Sequence, residues 1–282
     1  MIDKAVLDAL KAAFPETTSG RVHEYTSARA YDDDHPLVHS STRPLAHSLA
    51  FFDLDGTMAR GHMIFDFPAH LLAAGLFPQP VHASILRMQD DFKNRRQTYR
   101  DVAEELPRLY AEGVKGQKAA TVSLEAEKFV ENRMGNVFAY ARPLVLLMRE
   151  YGRPGLAISG SPVETVKALG RRLGMEAAIG TELETKDGLF TGRIVHNFIV
   201  KETKRAAFRE LVKKLHLDTP ACFGFGDTEQ DESFLSGVGH PVALNPSAEL
   251  RTIALKKGWD VFEHTQDVVA KVRKLAVRAD AV

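Results

Sequence analysis

The chain has 282 residues, enough for one large domain or two smaller ones around a sizeable core. Its 44% hydrophobic and 26% charged residues are globular proportions, which excludes a disordered, collagenous or coiled-coil chain. The 37 Lys and Arg balance 37 Asp and Glu, so no global field gathers nucleic acid or an anionic membrane, and any anionic ligand has to be held locally.

Residues 1–14 read as a short amphipathic helix whose acidic residues, with no basic stretch ahead of a long apolar run, do not make a signal peptide. Residues 15–44 are rich in Ser, Thr, His, Asp and Pro without an apolar period, so 1–44 reads as an N-terminal extension. Within it Asp32, Asp33, Asp34, His35 and His39 read as a solvated acidic loop rather than a metal cluster. No stretch approaches the roughly 18 apolar residues of a membrane span.

From Leu45 the text changes. LAHSLAFFDLDGT is a short apolar run ending in acids and Gly, the pattern of a buried parallel strand with a functional end. GLAIS (155–159) and ACFGFGD (221–227) repeat that grammar, each leading into a polar loop and then a helix-like stretch. Strands alternating with helices predict an α/β fold with a parallel sheet, whose strand ends gather ligands. Between the first two strands, residues 63–134 show helical spacing, with Leu72, Leu76, Leu106, Leu109 and Tyr110 apolar and Gly75 and Gly113 as breaks. That segment reads as an inserted helical domain, leaving 45–62 plus 135–282 as the core. Residues 181–195 read as a hairpin turning at Lys186, Asp187 and Gly188, and Gly258 with Trp259 as a helix stop. The lone Cys222 permits no intrachain disulfide, reads as a buried strand residue and fits a reducing cytoplasm.

Four constellations carry chemistry. Asp53 and Asp55, two apart at a strand end, can lean to one side of the chain, and Gly56 and Thr57 follow. Two adjacent carboxylates repel in a dry site, so the pair suggests a metal, acid/base work, or both; alone, it could equally be a solvated turn. Ser159, Gly160 and Ser161 follow the second strand. Ser161 as N-cap, Pro162 as first helical residue and Glu164 as capping-box partner would leave free amides for an anion, or simply a capped helix. Lys204 lies four residues before Phe208, on the apolar stripe continued by Leu211, Val212 and Leu215, so its ammonium can point inward; Lys201 is its rival. Asp227 ends the third strand and Asp231 falls in the first turn of the next helix, a spacing that serves one hard cation or caps a helix.

In this order, strand with DxDGT, strand with Ser, helix with Lys, strand with GDxxxD, the four resemble the haloacid dehalogenase superfamily, and within it the phosphoserine-phosphatase-like branch with a helical cap between the first two motifs. The resemblance covers about residues 45–267, with DGLFTGRI and PVALNPSAELRTIALKKGWDV included. It implies a Rossmann-like sheet flanked by helices, with an inserted cap, and a magnesium-dependent phosphatase acting on a small phosphorylated metabolite. Asp53 would be the nucleophile, Asp55 the general acid/base, Ser159 a phosphate ligand and Lys204 the charge stabiliser, with Thr57, Gly160 and His62 around the substrate. Mg2+ would be held by Asp53, the Asp55 carbonyl and Asp227, with Asp231 supporting them from behind. His62 stands where relatives usually carry an acid that reads a substrate amine, and Gln230 where they usually carry Asn, so phosphoserine itself is not the expected substrate. A phosphotransferase or phosphomutase would share every motif, whereas a dehalogenase would not need Asp55, and a phosphate-binding protein without catalysis would usually lack one of the acids. Arg95, Arg96 and Arg100 are candidates for an anion but read first as a solvated helix face. The sequence assigns no oligomeric state.

Overall fold

The computed structural model describes residues 2–14 and 47–281, so the acidic and histidine-bearing stretch from Asp32 to His39 lies outside the described residues. Among the described residues seven strands form one sheet: β1 (Ala50–Phe52), β2 (Gly155–Pro162), β3 (Ala177–Lys186), β4 (Leu189–His196), β5 (Phe223–Gly226), β6 (His240–Leu244) and β7 (Asp260–Phe262). Their order is β4-β3-β2-β1-β5-β6-β7, and all neighbours are parallel except β3 and β4. The central strand β1 therefore lies between β2 and β5, with Phe52 in register with both Ala157 and Phe225. Strand order reverses at β1, so the three polar strand ends read from the sequence open onto one crevice.

Every residue of β1 is fully buried, and the pleat sends alternate side chains to opposite faces. Phe52 stacks on Phe225 at 4.8 Å, on the face shared with α6 (Ala141–Glu150), α7 (Val163–Leu173) and α11 (Val268–Asp280). Phe51 turns the other way and meets Phe208 of α8 (Lys201–Leu215) edge-on at 5.2 Å. Helix α1 (Lys4–Ala13) buries Val6, Leu7 and Leu10 in that second cluster, its start capped by the Asp3 carboxylate accepting from Ala5 N–H at 3.0 Å.

Four helices intervene between β1 and α6: α2 (Met63–Ala73), α3 (Gln79–Lys93), α4 (Tyr99–Val114) and α5 (Ala119–Asn132). Helices α2, α4 and α5 meet through Phe67, Tyr110 and Phe129, and α3 adds Ile85 and Met88 to the same apolar cluster, forming the helical cap. Gly75 does follow the end of α2, with φ +73°, whereas Gly113 is no break: it is buried inside α4, and a Cβ there would stand 2.0 Å from the Phe77 ring. The glycine serves helix packing, a use that local sequence does not separate from a stop.

Asp187 (φ 53°) and Gly188 (φ 78°) turn the β3–β4 hairpin, two consecutive left-handed residues as a tight hairpin turn requires. Its tip bonds to the cap: Gly116 N–H reaches the Phe190 carbonyl at 2.8 Å, Phe190 N–H the Gln117 carbonyl at 3.0 Å and Ala119 N–H the Gly188 carbonyl at 2.9 Å. Short helices α9 (Glu232–Leu235) and α10 (Ala248–Lys257) complete the order, α10 ending at left-handed Gly258 beside Trp259. Cys222 is fully buried but sits one residue before β5 rather than in it. Among the described residues no helix is long and apolar enough to cross a membrane.

Candidate active site

The crevice collects Asp53 and Asp55 from the end of β1, Ser159 and Ser161 from β2, Lys204 from the first turn of α8, and Asp227 and Asp231 from beyond β5. Lys204 is fixed by the helical period: with Ala207, Phe208, Leu211 and Leu215 it makes the buried stripe of α8. Only 4% of Lys204 is exposed, and its Nζ donates to Asp53 Oδ1 at 2.9 Å and to Asp231 Oδ1 at 2.7 Å. Burial alone would lower its ammonium, but Asp231 and Asp53 together hold it above the ordinary lysine value. Lys201 points elsewhere, to Glu232 Oε2 at 2.6 Å.

Asp53, Asp227 and Asp231 each bring a carboxylate oxygen within 4.8 Å of the others. Burial pushes Asp53 and Asp227 well above the usual carboxylate range; Asp231 adds to both by repulsion, and Lys204 opposes it. Thr57, fully buried, donates its hydroxyl to Asp227 Oδ1 at 2.9 Å with Asp53 Oδ2 at 3.4 Å, so its side chain serves the carboxylates. Asp231 sits on a 3-10 turn (Glu229–Asp231) ahead of α9 rather than in the helix proper. Its Oδ2 accepts from Asp227 N–H (3.2 Å), Thr228 N–H (3.1 Å) and Thr228 Oγ1 (3.2 Å), while its Oδ1 takes Lys204. With both oxygens engaged, Asp231 is built to orient its neighbours, leaving Asp53 and Asp227 as the freer oxygen donors. One lysine among three buried carboxylates leaves negative charge to be met, and an all-oxygen donor set of this kind fits a hard divalent cation. Gly56 (φ +87°) completes the cradle, since a Cβ there would stand 2.0 Å from Asp227 Oδ2.

Asp55 faces another set of donors. Its Oδ1 accepts from Met63 N–H at 2.9 Å, and its Oδ2 from the hydroxyls of Ser159 at 3.0 Å and Ser161 at 2.6 Å. This corrects the reading of Ser161 as a helix cap. β2 runs on through Pro162, which takes the N-cap position of α7, and Glu164 makes no capping box there. The Ser161 oxygen is drawn away by a carboxylate 106 residues distant. Burial pushes the Glu164 carboxyl up to about 7. Gly160 keeps its backbone against the loop before α8, where a Cβ would come within 3.1 Å of Ile199 Cα.

His62 is exposed at the N-cap of α2 and makes no side-chain bond to that helix. The first acid of α2, Asp66, is already paired with Arg133 at 2.7 Å. Of the cap arginines, Arg96 pairs with Asp90 and Asp91 and Arg100 with Glu104, while Arg95 takes a left-handed backbone (φ 56°). The cap also reaches over the crevice. The Tyr99 hydroxyl donates to the Ile199 carbonyl at 3.0 Å, and Asn197 Nδ2 donates to the Ala103 carbonyl at 2.7 Å.

Sequence reasoning missed the brace behind the 53–57 turn. Tyr140 donates its hydroxyl to the Thr57 carbonyl and receives Asn245 Nδ2 at 2.9 Å; Asn245 (φ 48°) also accepts from His264 N–H at 2.6 Å. The available signal was Asn before Pro246 just past an apolar strand, since Asn tolerates the left-handed region better than most residues.

A family model described as haloacid dehalogenase-like hydrolase matches residues 50–236. A phosphoserine phosphatase of Mycobacterium tuberculosis is 31% identical over 214 residues, covering 75% of this chain and 69% of that protein. A histidinol-phosphatase of Neisseria meningitidis is 27% identical over 222 residues, covering 76% of this chain and 98% of its own. Among solved structures, a phospho-aspartyl intermediate analogue of phosphoserine phosphatase superposes with a TM-score of 0.56 at 16% identity, over 80% of this chain and 98% of that one. At that identity the last similarity speaks for the fold.

Proposed function

The chain belongs to the haloacid dehalogenase-like hydrolase family, and from that premise we propose that it is a magnesium-dependent phosphomonoesterase working through an aspartyl-phosphate on Asp53. The observation that carries the reading is the placement of Asp53: a buried carboxylate bonded to the Lys204 ammonium at 2.9 Å, beside Asp227 and two residues from a second carboxylate held by its own donors. Phosphoryl transfer needs in-line positioning and neutralised phosphoryl oxygens more than any special reactive group.

In the first step an Asp53 oxygen bonds to phosphorus as the ester P–O bond breaks, and Asp55 gives its proton to the departing alkoxide. In the second, Asp55 as carboxylate takes a proton from water, whose oxygen bonds to phosphorus as the bond to Asp53 breaks, releasing phosphate. Lys204 counters the charge around Asp53, and Ser159 and the Gly160 backbone border the phosphoryl group. Asp53, the Asp55 carbonyl and Asp227 would hold the cation, which when bound supplies positive charge against the phosphoryl oxygens. Residues 63–134 act as the cap over the 45–62 and 135–282 core.

The substrate is a small phosphorylated metabolite without an α-amino acid head. A buried ammonium needs a fixed negative partner; His62 and Gln230 bring no carboxylate, and Asp66 is already paired with Arg133. The lone Cys222, reduced and buried, suits a cytoplasmic setting. The test is kcat/KM over phosphoserine, sugar phosphates, glycerol phosphates and para-nitrophenyl phosphate with magnesium and with excess EDTA. Activity should vanish in EDTA. Undiminished turnover there refutes the metal, and a tenfold lead for phosphoserine refutes the substrate class.

A further inference from the structure

Helix α2 begins with two backbone N–H groups that its own N-cap residue, His62, does not serve. Both find acceptors across the crevice in the core. Met63 N–H donates to Asp55 Oδ1 at 2.9 Å, and Ile64 N–H donates to Ser161 Oγ at 3.0 Å. The first turn of the cap is thus capped by the core, through the residue read above as the acid/base and a serine beside it.

The hydroxyl geometry of Ser161 is determined on both sides. Its oxygen accepts the Ile64 N–H, so its single proton is left for Asp55 Oδ2, 2.6 Å away, and the residue is 1% exposed, shielded from competing water. Ser159 is fixed in the same way, its oxygen accepting Ser161 N–H at 3.1 Å while its proton points to Asp55 Oδ2 at 3.0 Å. Asp55 has no other side-chain donor among the described contacts.

We propose that Ser161 is a positioning residue for Asp55, joining the first turn of the cap to the acid/base so that the carboxyl is aimed at the leaving oxygen only while the cap's first turn is in place. This rests on the assignment of Asp55 in the proposed function. The hydroxyl of Ser161 bonds to Ile64 N–H and to Asp55, not to Asp53, so it acts through Asp55. Loss of its hydroxyl removes the shortest of the three bonds on Asp55, leaving it held by Met63 and Ser159 alone, and leaves Ile64 N–H without its acceptor.

The test separates positioning from mere stability through the leaving group. Departure of an alkyl alcohol needs a proton from Asp55; departure of para-nitrophenolate does not. Because kcat/KM reports on events through formation of the phosphoenzyme, we expect Ser161→Ala to lower kcat/KM at least ~10-fold on glycerol phosphate or whichever alkyl phosphomonoester the enzyme prefers, and less than ~3-fold on para-nitrophenyl phosphate. Equal losses on both substrates, or no loss on either, overturn the proposal, since a helix-capping role alone would move both together with the melting temperature. Should the Ala protein fail to fold, Ser161→Cys, which keeps the buried volume but donates weakly, is read by the same split. Wild-type turnover of para-nitrophenyl phosphate, abolished by Asp53→Asn, tells the two readings apart: without it the proposed function falls and this inference with it, whereas with it only the Ser161 result decides.

Discussion

Removing the Lys204 ammonium while keeping its apolar stem, as Lys204→Met, tests the centre of the site. The ammonium makes two ion pairs, at 2.9 and 2.7 Å, with carboxylates whose side chains are 6% and 0% exposed. At an effective dielectric near 20 each attraction is about 6 kcal/mol gross, and breaking a buried pair costs about 3–5 kcal/mol net because the partner charges lose their compensation. Burial raises Asp53 and Lys204 opposes it, so removing the ammonium raises that carboxyl further; the deficit in metal-free protein therefore grows as pH rises and shrinks on acidification. In catalysis, losing one preorganised positive donor should lower kcat by ~10² or more. Lys201→Ala removes a partly exposed pair with Glu232 and should cost less than ~1 kcal/mol and under ~3-fold in kcat. The measurements are urea melts in EDTA across pH 4–8 and steady-state turnover of para-nitrophenyl phosphate. A Lys204→Met enzyme keeping more than a tenth of wild-type kcat, or a Lys201→Ala enzyme slower than it, refutes the argument.

Asp53→Asn should give no phosphorylated protein by mass spectrometry after rapid quench, whereas Asp55→Asn should still bind substrate but turn over at least ~10²-fold more slowly; a phosphoryl group on any other residue of the active wild type contradicts the mechanism. Asp227→Asn should be more stable than wild type in EDTA at pH 8, because the raised Asp227 makes folding less favourable as pH climbs above the unfolded carboxylate value. The difference should fade near pH 4 and reverse in millimolar magnesium. Thermal melts at the two pH values decide it, and a less stable variant in EDTA at pH 8 would count against the electrostatic reading. Tyr99→Phe removes the cap's bond to the Ile199 carbonyl and should raise KM about 3- to 10-fold with kcat within about twofold; a fall in kcat at constant KM would assign Tyr99 to the chemistry instead of to closure.

What the sequence made legible and what it hid divide along the range of the interactions. Asp53, Asp55, Asp227 and the inward face of Lys204 were readable because strand ends and the 3.6-residue stripe through Phe208, Leu211 and Leu215 are local patterns. The same local grammar gave the hairpin turn at Asp187 and Gly188. It failed at Ser161, where a well-formed capping signature lost its serine to a carboxylate from another strand, and at Gly113, whose missing side chain makes room for Phe77 from outside its helix. It gave no warning of the Tyr140 and Asn245 brace, in which residues 105 apart hold the turn that carries Asp53 and Asp55. Each miss is a polar or small residue whose local preference yields to a partner supplied by the fold. Charged groups in a dry crevice must find partners wherever the fold offers them, so the residues least predictable from their neighbours in sequence are the ones that set the orientation of the chemistry.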